Sequence, residues 1–95
     1  MRTIERTTPF RRDYKREKRA GWKGLDARLA EVVELLVADK PLPAARYDHP
    51  LTGKWDDCRE CHLRPDVLLI YRKRGDLDGG ALELVALGSH SELFG

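Results

Sequence analysis

No stretch of this 95-residue chain approaches the ~18–20 consecutive apolar residues that a membrane-spanning helix needs. Its basic start is not followed by the apolar run of a secretory signal. The expected setting is therefore the cytoplasm, with no membrane partner. Cysteine is nearly absent: the two present, Cys58 and Cys61, are too few and too close in sequence for a disulfide framework. Methionine occurs only as Met1. There are no repeats, no low-complexity segment and no visible aromatic platform on which a single nucleic-acid strand would stack. A chain this short has room for one modest core, so one domain over residues 1–95 is expected.

What is abundant is charge, at 36% of residues, and it is unevenly spread. Residues 1–23 hold nine Lys/Arg against three Asp/Glu, a balance of +6, which leaves −4 for the rest of a chain whose net charge is +2. A concentrated basic end attracts polyanions through its local field even when the whole molecule is near neutral. The same charges also suit a solvated helix face.

The periodicity predicts an edge strand over Arg2 to Thr7, then a helix with Thr8 as N-cap and Pro9 at its first position. Phe10 and Tyr14 would face inward, with Arg12, Lys15, Arg16 and Arg19 outside, and Gly21 would end the helix. Leu25, Leu29, Val32, Val33 and Leu36 give the strongest helical pattern, stopped before Pro41 and Pro43. Pro41 to Gly53 reads as a loop, Trp55 to Leu63 and Val67 to Lys73 as strands, and Ala81 to Leu87 as the last strand. Short connections imply antiparallel pairing. The expectation is an α+β two-layer sandwich, β-α-α-β-β-β, with two helices on one face of a small, mostly antiparallel sheet and the other face open to a partner.

Cys58-Arg59-Glu60-Cys61-His62 has the spacing of a c-type haem attachment and contains possible zinc ligands. Without an export signal or a methionine axial ligand, haem is a poor fit. On a strand the two thiols would point to opposite faces and could not grip one metal. Small packing residues are the better reading, and neither metal nor cofactor is expected.

The histidines are His49, His62 and His90, with Asp66 four residues beyond the second. Cleaving RNA without a metal requires a base for the 2′-hydroxyl proton and an acid for the departing 5′-oxygen, and imidazoles suit both near neutral pH. A carboxylate can hold one imidazole in its tautomer. Cations such as Lys54, Arg59, Arg64 or Arg72 can offset charge developing on phosphorus, although ordinary surface charge explains them equally well.

Three motifs carry a resemblance along essentially the whole chain: His49-Pro50-Leu51-Thr52-Gly53-Lys54-Trp55, then His62-Leu63-Arg64-Pro65-Asp66, then Gly88-Ser89-His90-Ser91-Glu92-Leu93-Phe94-Gly95. Together they resemble the YafQ branch of the RelE/ParE toxin superfamily. That resemblance implies a RelE-like fold and a ribosome-dependent messenger-RNA endoribonuclease (mRNA interferase), cutting in the ribosomal A site. It further implies a catalytic set of His49, His62, Asp66 and His90, with Phe94 beside His90. Lys54, Arg59 and Arg64 would touch substrate. The basic helix, through Arg11, Arg12, Lys15, Arg16 and Arg19, would meet ribosomal RNA. The implied partners are a DinJ-like antitoxin, the ribosome and mRNA, with promoter DNA reached only through the antitoxin. The cysteine pair has no counterpart in that mechanism. The nearer rival is a ParE-like toxin that binds gyrase without RNA chemistry; a metal- or haem-binding module on Cys58, Cys61 and His62 is more distant.

Overall fold

The strand at the centre of the protein is apolar along its whole first half. In the computed structural model, which describes residues 1–95, this is β4 (Val67–Arg74), and Val67 to Tyr71 are all buried. Because successive side chains point to opposite faces, such a strand needs cover on both.

One sheet runs in the order β1-β5-β4-β3-β2, with β1 Thr3–Arg6, β2 His49–Pro50, β3 Arg59–Arg64 and β5 Ala81–Gly88. The edge strand β1 pairs parallel with β5, and the other three pairings are antiparallel. Helices α1 (Thr8–Arg19) and α2 (Leu25–Val37) cover one face. The fold is thus the expected α+β class. Two short elements extend the expected order: β2, and a C-terminal helix α3 (His90–Phe94). No helix is long and apolar enough to cross a membrane.

The caps explain the helix limits. Thr7 rather than Thr8 is the N-cap of α1, because its hydroxyl accepts from the Phe10 N–H at 3.0 Å while donating to the Val85 carbonyl at 2.8 Å. One residue thus starts the helix and ties it to β5. Beyond α1, Gly21 takes φ +87°, a left-handed conformation that glycine adopts freely. Along α2, Leu25, Val32 and Leu36 are buried with Phe10 against Cys61, Leu63, Leu69, Leu82, Leu84 and Leu87. Each large side chain in this layer contributes about 1.5–3 kcal/mol by leaving water.

The other face is covered differently. Residues Gly53–Trp55 form a 3₁₀ turn rather than the start of a strand, with the Asp56 N–H on Gly53 O at 3.1 Å and the Cys58 N–H on Trp55 O at 2.9 Å. Trp55 is thereby laid, with Leu51, Val85 and Leu93, over Cys58, Ile70 and Ala86. This second core is small and leaves part of the face uncovered.

Two register shifts alter which residues share a face. Ile70 pairs with Ala86 but Tyr71 with Leu84, so Val85 bulges, and Leu84 and Leu87 both reach the helix-side core although three residues apart. On β3, His62 pairs with Leu68 but Arg64 with Val67. That shift turns Arg64 away from the face of His62 and onto the Trp22 ring, 4.6 Å from its centre.

Cys58 and Cys61 do point to opposite faces, Cys58 in the small cluster and Cys61 in the main core, both as free thiols. Burial pushes Cys58 up to about 11, helped by its hydrogen bond to Asp57, and pushes Cys61 up to about 12. Because these folded values lie above the ordinary thiol value of 9.0, their stabilising contribution is complete below pH 9 and drains away as pH rises through 11 and 12. Both thiols are expected to resist alkylation at neutral pH and to react together on unfolding in urea. Fast labelling of the folded protein would overturn that placement.

Asp13 is the main polar group inside the helix layer. Its Oδ2 accepts from the Leu87 N–H at 3.1 Å, and its Oδ1 pairs with Arg16 at 3.0 Å and Arg12 at 3.3 Å. Arg16 also donates to the Leu87 carbonyl at 2.7 Å and pairs with Glu92 at 3.0 Å, so α1 grips the end of β5 and the start of α3. Asp13→Ala should cost about 1–3 kcal/mol, because it leaves the Leu87 N–H without its acceptor while the exposed Arg12 and half-buried Arg16 turn to solvent. Urea denaturation checks this as a lowered midpoint at an unchanged slope.

Candidate active site

The uncovered part of the second face centres on a carboxylate that the sequence reading did not select. Glu60 lies in β3 opposite His49 of β2 on one side and Ile70 of β4 on the other, and is 3% exposed. Its Oε2 is 2.8 Å from His49 Nε2, and its Oε1 is 3.6 Å from His90 Nε2. Oε1 has no hydrogen-bond partner. One buried carboxylate therefore faces two imidazoles that the chain separates by forty residues.

The tautomer of His49 follows from its contacts. Nδ1 lies 2.7 Å from the Tyr47 carbonyl, which can only accept, so Nδ1 carries a hydrogen. On the other side, Nε2 and Oε2 at 2.8 Å require one proton between them. The loop that presents this ring is anchored through Asp48, which accepts from Tyr71 Oη at 2.6 Å and from Arg59 Nε at 3.2 Å. Burial, then the hydrogen bond to Asp48, holds the Tyr71 phenol well above its usual range, so it stays a donor.

His90 is placed from the other end of the chain. Ser89 Oγ accepts from the Glu92 N–H at 3.1 Å and Glu92 Oε1 from the Ser89 N–H at 2.8 Å, a reciprocal cap that starts α3 at His90. Gly88 permits this docking: a Cβ there would lie 2.7 Å from Arg16 Nη2 and 3.0 Å from Glu92 Oε1.

Around Glu60 the rings form a continuous row. Tyr47 meets His62 at 5.4 Å between centres, His62 meets His90 at 6.0 Å, His90 meets Phe94 at 5.9 Å, and Phe94 meets Trp55 at 6.1 Å. Lys54 caps the far end, 5.9 Å above Trp55. An aromatic surface was not expected; folding assembles one from four separate segments. At its near end, Tyr47 takes φ 49° and ψ 44°, a left-handed conformation that costs a bulky residue about 1–3 kcal/mol.

The structure brings His49, His62, His90, Phe94 and Lys54 to one surface. Asp66, in the turn after β3, is exposed and paired with Arg64 at 2.8 Å; the carboxylate that contacts imidazole is Glu60. Arg59 shares the face of its register partner Tyr71, opposite to that of His62, and holds Asp48. Arg64 stacks on Trp22. On α1, Arg11, Arg12, Lys15 and Arg19 are exposed, whereas Arg16 is engaged with Asp13, Leu87 and Glu92. Glu60 was legible in principle as a charge inside an otherwise apolar alternation, but its pairing with His49 was not.

No three His, Cys, Asp or Glu side chains converge as metal ligands. A cleft of about 580 Å³ opens beside His62, between α2 and the 3₁₀ turn Ala44–Arg46. A larger groove, about 770 Å³ and mostly apolar, lies between α1, α2 and β1 and contains none of the histidines.

The match to known proteins is consistent along the chain. Residues 2–95 match the family model described as a bacterial toxin of type II toxin–antitoxin system, YafQ. The mRNA interferase toxin YafQ of Escherichia coli strain B / BL21-DE3 is 35% identical over 100% of this chain and 98% of its own length. With its counterpart from strain K12 the identity is 44%, over 58% of this chain and about half (55%) of that toxin. Among solved structures, a copper-bound mutant toxin from Helicobacter pylori superposes with a TM-score of 0.89 at 38% identity, over 99% of this chain and all of that one. The E. coli DinJ–YafQ complex gives 0.83 at 33% identity over the whole of both chains. The chain belongs to the YafQ family of bacterial type II toxin–antitoxin toxins.

Proposed function

We propose that this protein is an mRNA interferase that cleaves mRNA in the ribosomal A site by acid–base chemistry between imidazoles. The observation that supports it most is the placement of buried Glu60 between His49, which it hydrogen-bonds, and His90, 3.6 Å from its free oxygen, with the His62 ring against His90. One imidazole takes the proton of the substrate's 2′-hydroxyl as that oxygen attacks the adjacent phosphorus. Another delivers a proton to the departing 5′-oxygen. The products are a 2′,3′-cyclic phosphate and a 5′-hydroxyl, and no metal enters the balance. Glu60 keeps His49 oriented and compensates charge on the pair. Asp66 remains in the proposed set, acting from beside Arg64 once RNA is bound.

The ribosome would hold the message open and supply orientation that a small protein lacks. Arg11, Arg12, Lys15 and Arg19 would contact ribosomal RNA phosphates. The E. coli relative was solved in complex with DinJ, which supports a DinJ-like antitoxin as partner here, with promoter DNA bound only through that antitoxin. That antitoxin would bury part of the basic surface of α1 or the histidine face.

Single-turnover cleavage on programmed ribosomes tests the chemistry. His49→Ala, His62→Ala and His90→Ala should each lose ~10²–10⁴-fold in rate, or roughly 3–5 kcal/mol of barrier, non-additively and with the fold intact by circular dichroism. Glu60→Gln should lose more than Asp66→Asn; the reverse order would return the orienting role to Asp66. Folded histidine variants that cut at the parental rate would sink the assignment. Cleavage abolished by a chelator selective for transition metals, with Mg²⁺ and ribosomes intact, would remove its metal-free part.

Ribosome affinity should also fall steeply with salt. Reversing Arg12 and Lys15 to Glu should weaken binding and flatten the log–log slope by about one per lost phosphate contact. Equal slopes for parent and variant would leave α1 as solvated surface.

A further inference from the structure

The cleft beside His62 is chemically unlike the rest of the protein. Residues 24–95 carry a net −4, yet Arg28, Arg46 and Arg64 line this one cavity with Tyr47 and His62, and no carboxylate joins them. Two of the three guanidinium groups are fixed by the same backbone oxygen: Arg28 Nη1 and Arg46 Nη1 lie 2.8 and 2.7 Å from the Leu63 carbonyl. Arg46 also donates to the His62 carbonyl at 3.1 Å. Glu31 pairs with Arg28 and Asp66 with Arg64, but no carboxylate pairs with Arg46. Three cations drawn together and one left without a counter-charge create a site whose repulsion an anion would relieve.

Tyr47 supplies the second half. It is 67% exposed, its ring stands edge-on to His62, and its backbone is held in a left-handed conformation that a bulky side chain rarely adopts. Neither core packing nor a phenol hydrogen bond accounts for a tyrosine there. An exposed ring at the mouth of a cationic cleft, next to a ring at the reaction centre, matches how single-stranded nucleic acids are held: bases on aromatic faces, phosphates on fixed guanidinium groups. The cleft volume of about 580 Å³ falls within the size of small-ligand sites.

We infer that this cleft is the subsite for the RNA nucleotide adjoining the scissile phosphate, with its base on Tyr47 and its phosphate on Arg46, supported by Arg28 and Arg64. This rests on the RNA-cleaving reading above, because His62 is the wall shared by cleft and reaction centre. Tyr47 then acts as a binding residue that also influences which base is accepted, through stacking strength rather than hydrogen-bond readout.

The test titrates the intact protein with a nucleoside, inorganic phosphate and a 5′-mononucleotide, followed by NMR shifts of the Tyr47 ring and the arginine Nε–H groups. The mononucleotide should bind more tightly than either fragment, moving Tyr47 and Arg46 together. Tyr47→Ala should weaken mononucleotide binding roughly 5- to 150-fold, the range of one base–aromatic stack, and leave phosphate binding unchanged. Tyr47→Phe should recover it. Arg46→Gln should weaken mononucleotide and phosphate alike, and Arg46→Lys should restore part of both. Tyr47→Gly suits the backbone conformation, so it should fold at least as stably as the parent and still bind poorly. Shifts confined to the α1–α2 groove, or equal binding by parent and the Tyr47 variants, would overturn the subsite even if mRNA is cut normally. Tyr47-dependent binding in a protein that cuts no mRNA would keep the subsite and reject the cleavage reading instead.

Discussion

A strand whose alternate residues are all apolar forces a second layer of cover, and β4 makes that demand. On one face the answer is the ordinary one, two amphipathic helices. The other face has no helix layer and is met by Leu51, Trp55, Val85 and Leu93, drawn from the segment around the 3₁₀ turn, from β5 and from the last helix. The first and last of those pieces flank His49 and carry His90. The need to dry Ile70 and Ala86 therefore brings the two distant imidazoles to the same side of the sheet, over Glu60. Stability and candidate site are built by the same contacts on this face.

Two of the three buried carboxylates, Asp13 and Glu60, show how differently one chemical group is used. Both oxygens of Asp13 are occupied, by the Leu87 N–H and by two guanidinium groups. Such a group locks helix to strand and leaves nothing to react. Glu60 has one oxygen bound to His49 while the other has only His90, at a distance longer than a hydrogen bond. An acceptor left open in a buried position costs about 1–3 kcal/mol. The open oxygen of Glu60 faces His90 across 3.6 Å.

Much of this was legible because it was local. The period of Leu25, Val32 and Leu36, the stop at Gly21 and the opposite faces of Cys58 and Cys61 all follow from spacing. The histidines stood out by residue type and motif. What escaped depends on register. Glu60 gains its meaning from lying opposite His49, a pairing made by a two-residue strand too short for any pattern. The bulge at Val85 and the shift after His62 reassign faces in ways that strict alternation cannot express, and Arg64 reached Trp22 for that reason. Trp55 read as the start of a strand because a 3₁₀ turn and a strand look alike over three residues. The last helix was also missed, although Ser89 and Glu92 spell a capping box that would have revealed it. The cation count of α1 was read correctly, yet one of its arginines turned out to serve α3.

The parallel pairing of β1 with β5 joins the two ends of the chain, Thr3 against Ala81 and Arg6 against Leu84. Contacts of such wide sequence separation form late, since closing the intervening loop must be paid for before they reward it. The first strand has no partner in the sheet until residues 81–84 lie beside it. The sheet therefore gains its β1 edge only once β5 is in place. His90, carried just beyond β5, reaches Glu60 only when β5 is itself in the sheet, so the histidine face is among the last parts of the fold to form.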